Sequence, residues 1–385
     1  MAKKRLLFVL NDASFFISHR LPIAVAARNA GFDVQLAAPA DPKAAPVLAA
    51  EGIAVHPIVL DRRATNPLGE LRVFLALYRL YRRLKPDVVH HVTVKPVLYG
   101  SIARSLAGGG AVINAVPGLG YLFLAQGIAA SLRRALVERL YALALRGART
   151  IAIFQNPDDL ALFVERGLID PARATLIRGS GVDLQHFAFH EETVTERPIV
   201  VLPARMLRDK GVHEFVDAAR ILRSKFPAAR FVLAGDADAN RSSISSDQLN
   251  AWNHEGVVEW WGQRTDMAHV LRNAAIVCLP SYREGVPKAL LEAAACGRAI
   301  VTTNVPGCRE VVSHGENGLL VPPRDSRALA EALRVLLNDS EVRAQMGRAG
   351  RRRAEKEFDA NSVVQRTLEI YEELLREETL AVTNE

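Results

Sequence analysis

Short apolar runs alternate with longer amphipathic stretches along most of the chain. Runs at 5–10, 33–38, 54–59, 87–91, 111–115, 150–154 and 174–178 are mostly apolar. A strand covered on both faces of a parallel sheet reads this way, whereas a half-solvated strand alternates. Helical periodicity fills gaps between them, clearest at 20–30 and 69–84. Residues 186–198, "HFAFHEETVTERP", are polar and aperiodic. Beyond them the alternation restarts, with strands predicted at 199–203, 230–234, 257–260, 276–279, 299–303 and 318–321. Helices are predicted at 212–225, 266–273 and 287–296, and a charge-rich helical tail runs from 326 to 375. The pattern predicts α/β architecture, with two doubly wound Rossmann-like domains facing a cleft. The expected division is 1–185, a linker at 186–198, 199–355, and a tail at 356–385 that packs back on the first domain.

Length agrees with that division, because 385 residues exceed what one core usually supports. The three cysteines, Cys278, Cys296 and Cys308, form no CxxC pair and no zinc-ligand spacing. The apolar run at 6–10 is too short for a signal-peptide core, and polar Asn11 and Asp12 follow at once. No stretch offers the ~18 uncharged apolar residues of a membrane span. A cytoplasmic protein is expected, with no nucleic-acid partner. Charge sharpens the picture. The net charge is +7, yet residues 62–149 hold fourteen Lys and Arg against three acids. The remainder is therefore acidic, and an anionic partner is expected for the first half.

Candidate chemistry concentrates at predicted strand ends. "LPARMLRDKGVHEF" (202–215) carries Arg205, Arg208 and Lys210 between a strand and a helix. A helix N-terminus favours anions, and a guanidinium fork beside an ammonium suits a diphosphate; a solvated basic loop is the plain alternative. "SYREGVPKALLEAAACG" (281–297) places Glu284 in a strand-to-helix loop and Glu292 among alanines, with Pro287 expected at the first helical position. A carboxylate in such a setting needs donors. Ribose hydroxyls would supply them, as would an ion pair with Arg298. Asp236 and Asp238 form D-x-D, the manganese motif of another transferase class, but at a strand end they read as a turn. No G-x-G-x-x-G follows the first strand and no G-x4-G-K-[ST] exists, which excludes a simple dehydrogenase or P-loop reading. "RSSISSDQ" (241–248) reads as a surface loop.

Taken together, E-x7-E at Glu284 and Glu292, R-x4-K-G at Arg205, Lys210 and Gly211, "LAGD" at 233–236, G-x-R at 262–264 and "GLLVPP" at 318–323 resemble the retaining GT-B glycosyltransferases of family 4. The resemblance implies that Arg205 and Lys210 bind the donor diphosphate. It places Glu292 on the ribose and Glu284, with Gly285, Val286 and Pro287, beside the transferred sugar. Arg264 lies near the base. The donor would be a UDP-sugar, with no cofactor and no metal. Where many relatives have a Gly-Gly loop, this chain has "NDASFFISHRLP" (11–22), so Ser18 and His19 are expected to contact the acceptor. His91, Thr93 and Lys95 after the fourth strand and Gly118 after the fifth complete the expected acceptor set. Val116 and Pro117 stand where several relatives have a histidine, which assigns acceptor deprotonation to a donor phosphate oxygen. The N-terminal stretches are most similar to bacterial enzymes that extend undecaprenyl-diphosphate-linked sugars. That implies a polyprenyl-diphosphate-linked acceptor and peripheral residence on the inner membrane face, with 120–146 as membrane-facing helix or ordinary core helix. A UDP-sugar 2-epimerase of the same fold and a non-catalytic sugar-nucleotide-binding protein are the alternatives.

Overall fold

The computed structural model describes residues 3–60, 67–118, 128–238, 240 and 242–383. The chain forms two units, Met1–Ser180 with Ser362–Glu385, and Gly181–Asn361. The first unit holds strands β1 (Arg5–Val9), β2 (Asp33–Ala38), β3 (Ala54–Pro57), β4 (Val88–Val92), β5 (Ala111–Val116), β6 (Thr150–Phe154) and β7 (Ala174–Leu176). They pair in parallel in the order β3-β2-β1-β4-β5-β6-β7. The second unit holds β8 (Ile199–Pro203), β9 (Arg230–Ala234), β10 (Glu259–Gly262), β11 (Ile276–Leu279), β12 (Ala299–Thr303) and β13 (Gly318–Val321). Their order is β10-β9-β8-β11-β12-β13, again parallel. Strand order reverses between β1 and β4 and between β8 and β11, the places where doubly wound sheets bind ligands.

Helices cover both faces of each sheet, which is why the strands read as unbroken apolar runs. In the first unit, helix Pro67–Leu84 buries Leu77, Leu80 and Tyr81 against Leu7, Val9 and Val89. On the other face, Val363, Ile370, Tyr371 and Leu374 of helix Ala360–Thr383 join Phe8, Phe16 and Ile113 in one core.

The expected linker is not one. Residues 186–198 belong to the second unit. Glu192 accepts two hydrogen bonds from Arg343 at 2.6 and 2.9 Å, with both side chains buried. The His190 carbonyl accepts from Arg298, and the Phe189 ring fills the space above Gly297. Polarity and lack of period signalled a solvated connector, yet here the charge is paired inside. The boundary falls at Ser180–Gly181 instead, and the chain recrosses at Asn361–Ser362. Two local expectations also shift. The stretch after β1 is helix Ala13–His19, capped by the Asp12 carboxylate accepting from Phe15 N–H at 2.9 Å, before a second helix, Leu21–Asn29. The serine-rich stretch is not a free loop: Leu207 bridges Ser243, Ile244 is buried, and helix Ser246–His254 follows. Arg241 lies outside the described residues, as do 119–127 of the membrane candidate.

Candidate active site

The second unit assembles its site from three strand ends. After β8 the chain makes a short turn, Arg208–Lys210, then Gly211 at φ +73° opens helix Val212–Leu222. A Cβ on Gly211 would stand 2.2 Å from the Pro280 carbonyl oxygen. Glycine therefore serves twice here, allowing the left-handed backbone and the close approach to the end of β11. That approach brings Lys210 to Glu284. Their ammonium and carboxylate form a short ion pair, with side chains 19% and 12% exposed.

The Glu284 loop is held from two further sides. A Cβ on Gly307 would meet the Gly285 carbonyl oxygen at 1.9 Å, so the loop after β12 can lie directly on it. Glu284 N–H donates to the Pro306 carbonyl at 3.3 Å. Tyr282 N–H donates to the Asp209 carbonyl at 2.9 Å, its hydroxyl donates to Glu214 at 2.6 Å, and Arg324 lies over its ring at 4.6 Å. Burial, then Glu214, pushes the Tyr282 phenol well above its ordinary value, so it remains a donor.

Pro287 caps helix Lys288–Ala295 from outside and is not its first residue. Glu292 lies inside that helix, 12% exposed, 3.5 Å from Lys288 one turn earlier. Burial raises its carboxyl pKa, and Lys288 partly opposes the rise. The expected alternative partner is engaged elsewhere: the Arg298 guanidinium donates to the carbonyls of Cys296, Ala274 and His190. Glu292 thus keeps acceptor capacity, as a ribose-binding carboxylate needs.

The remaining residues expected at the donor site are tethered. Arg205 is half exposed and bonds Asp238 at 2.5 Å. Asp236 accepts from Gln263 N–H at 3.0 Å, which ties the G-x-R turn to the end of β9. Arg264 is bidentate to Asp266 at 2.8 and 2.6 Å and lies over Trp261 at 5.8 Å. Both aspartates of D-x-D therefore serve as local acceptors, and no cluster of metal-ligating type occurs among the described residues.

The expected acceptor residues of the first unit do not come together in the same way. Ser18 donates to the carbonyls of Ser14 and Phe15 and lies 2.7 Å from His19, whose ring stacks on Phe15. His91 requires correction. It is fully buried, with Nε2 at 2.9 Å from Tyr81 Oη and Nδ1 at 2.9 Å from Asn114 Oδ1. Burial pulls its pKa down to about 3, so it is a neutral core residue with both nitrogens engaged, not a free acceptor contact. Thr93 sits at φ +76°, a strained backbone for a β-branched residue, and its buried hydroxyl has no hydrogen-bond partner among the described residues. Lys95 pairs with Glu70 at 2.6 Å. Tyr99 bonds the same carboxylate, and burial with Glu70 pushes its phenol to about 12. Sequence reading missed Glu70, because its contact crosses 25 residues and no motif marks it. Gly118 ends the described segment after β5, at φ +144°.

Two doubly wound units, with a Lys–Glu pair and a largely buried glutamate at the strand ends of the second, have the architecture of GT-B glycosyltransferases. Residues 185–353 match the family described as glycosyl transferases group 1, and residues 5–156 the family described as glycosyl transferase 4-like. The chain belongs to these family-4-type glycosyltransferases and is an enzyme. It is 30% identical over 380 residues to the N,N'-diacetylbacillosaminyl-diphospho-undecaprenol alpha-1,3-N-acetylgalactosaminyltransferase of Campylobacter jejuni, spanning 95% of this chain and 98% of that one. A UDP-Gal:alpha-D-GlcNAc-diphosphoundecaprenol alpha-1,3-galactosyltransferase of Escherichia coli is 24% identical, covering 80% and 81%. Among solved structures, HepE of Anabaena in complex with UDP superposes with TM-score 0.76 at 20% identity, covering 96% and 100% of the two chains. These matches do not support the epimerase or the non-catalytic alternative.

Proposed function

We propose that this enzyme moves a sugar, an N-acetylhexosamine, from a UDP-sugar to a saccharide carried on polyprenyl diphosphate at the inner membrane face. The observation that carries the reading is the Lys210–Glu284 pair, together with the largely buried Glu292. Its support is a relative of nearly equal length whose name states N-acetylgalactosamine transfer to a diphospho-undecaprenol-linked sugar.

The site residues divide the work. In the transfer, the bond from the anomeric carbon to the diphosphate breaks and one forms to the acceptor hydroxyl oxygen. The acceptor proton passes to a donor phosphate oxygen, and configuration is retained. Negative charge grows on the leaving diphosphate. Lys210, with three N–H donors, can hold Glu284 and a phosphate oxygen together. Arg205 and the first N–H groups of helix Val212–Leu222 add fixed positive potential. Glu284 faces the positive character that develops on the sugar. Glu292 accepts from the ribose hydroxyls. The charge is met without metal in this scheme, so EDTA should leave turnover unchanged.

Membrane association has its own support. Leu68, Leu71 and Leu75 are exposed at helical spacing, as are Leu132, Leu136 and Leu143 on helix Ile128–Ala144. Exposed Arg72, Arg79, Arg133 and Arg139 lie on the same two helices. Apolar area with cations suits an anionic leaflet. No helix among the described residues is long and apolar enough to cross a membrane.

Incubating the enzyme with a panel of UDP- and GDP-sugars and membrane lipid extract, read by mass spectrometry, tests the proposal. A lipid product heavier by one N-acetylhexosamine residue is expected. Transfer only to a water-soluble acceptor would overturn it.

A further inference from the structure

The Lys210–Glu284 pair joins two loops, and a lysine side chain is too flexible to fix the distance between them. Tyr282 grips both sides. Its N–H donates to the Asp209 carbonyl at 2.9 Å, which ties the residue before Lys210 to the loop that carries Glu284. Its hydroxyl donates to Glu214 at 2.6 Å, across 68 residues of chain. Glu214 stands in the first turn of helix Val212–Leu222, the helix that the Lys210 turn opens. A hydroxyl bonded to a carboxylate at that distance is charge-assisted and directional.

Two observations set this contact apart from ordinary packing. The first is the poor satisfaction of Glu214. Its Oε2 is sealed from solvent and has no hydrogen-bond partner among the described residues, so the carboxylate leans on the phenol. The helix N-terminus offsets part of that cost. Stability alone would still be served as well by an apolar pair, because a buried carboxylate short of donors is expensive. The second is Arg324, whose guanidinium covers the Tyr282 ring at 4.6 Å while its own backbone sits at φ +62°. A non-glycine residue persists in that conformation only where its surroundings hold it, and such strain gathers at functional sites.

We infer that Tyr282 is a positioning residue for the transfer reaction, with Glu214 as its anchor. Gly211 lets the two backbones approach, and the Tyr282 hydroxyl stops the helix that follows Lys210 from sliding against the Glu284 loop. In this role Tyr282 acts through Lys210 and Glu284, not on the substrate. The inference rests on the donor-site reading of that pair.

Kinetics on four variants of the whole enzyme test it. Turnover is read as UDP release from a UDP-N-acetylhexosamine, with membrane lipid extract as acceptor. Tyr282→Phe removes one oxygen and leaves the ring, the Arg324 contact and the backbone bond. It should lower kcat by about 10- to 100-fold with a donor KM within about three-fold of wild type. Glu214→Ala should match it from the other partner, which covers a Tyr282 variant that fails to fold. Glu214→Gln keeps an oxygen for the phenol and should restore most of the turnover. On a Lys210→Ala background, Tyr282→Phe should cost less than about two-fold more, since residues that act as a unit are not additive. A full repeat of the Tyr282→Phe loss on that background overturns the inference, because a general structural defect would be additive. Near-wild-type kcat in Tyr282→Phe and Glu214→Ala, with turnover lost in Lys210→Ala, also overturns it and leaves the donor site standing. Wild-type turnover in Lys210→Ala would remove the donor-site reading and this inference with it.

Discussion

The strand ends of the two units have similar topology and opposite habits. In the second unit the polar residues converge. Lys210 and Glu284 come from the loops after β8 and β11, drawn together by glycines that let backbone touch backbone, and Glu292 comes from the helix that follows. In the first unit the polar residues are spent internally. His91 bonds Tyr81 and Asn114, His90 bonds Tyr371, and Lys95 bonds Glu70. A nucleotide diphosphate is a fixed chemical object, so the residues that meet it can follow fixed spacing. Histidines at a strand end look equally chemical in sequence, yet here their duty is to satisfy one another in a core.

Substitution can break that contrast. The largest effect is expected from Lys210→Ala, a fall in kcat of roughly 10²–10³-fold from loss of a donor to the leaving group. Glu292→Ala should act chiefly on donor binding, seen as weakened UDP retention by calorimetry. Wild-type turnover in both would dissolve the second-unit site. Gly211→Ala comes next. Its Cβ would displace Lys210 from Glu284, and misplacement on the 1 Å scale costs about 10²-fold in kcat/KM. A steady-state assay beside a melting curve separates that from unfolding.

His91→Ala is the test from the other side. It strands Tyr81 and Asn114 and opens a cavity, so unfolding free energy should fall by about 2–4 kcal/mol. Turnover per folded molecule should stay within a few-fold, read from kinetics on the soluble fraction. Loss of turnover without loss of stability would return His91 to the acceptor site. Its titration sharpens the point. The folded pKa of about 3 lies below the ordinary 6.5, so the unfolded chain binds the extra proton between them. The His91 contribution is fully present above pH ~6.5 and is lost as pH falls, by about 1.4 kcal/mol per unit. Denaturant melts at pH 7 and pH 5 should differ more in wild type than in His91→Asn. The smallest effect is expected from Asp238→Asn. Removing the carboxylate that holds half-exposed Arg205 should tighten the donor KM by about two- to five-fold.

Much of this was legible in the chain. Every strand was, because a parallel strand buried on both faces declares itself as an aliphatic run. Short helices were not, as at Pro157–Glu165 and Ser246–His254, where few apolar positions mark the period. Lys210 and Glu284 were each marked by motif spacing, but the ion pair between them was not read from it. Lys288 as the neighbour of Glu292 was readable at i,i+4 and was overlooked in favour of Arg298. Glu192 with Arg343, Arg205 with Asp238 and Glu70 with Lys95 were not readable, since each pair is made by the fold across a long separation.

The recrossing at Ser362 sets an order for biogenesis. The second unit is one contiguous segment and can fold as soon as it has left the ribosome. The first unit is translated earlier but cannot close, because Ile370, Tyr371 and Leu374 of its core are made only after the whole of the second unit. Its apolar sheet face must wait through the synthesis of about 180 residues. A nascent chain stalled before Tyr371 also leaves His90 without its hydroxyl partner. The half made first is thus the half finished last, and the window in which chaperones are needed opens on that exposed face.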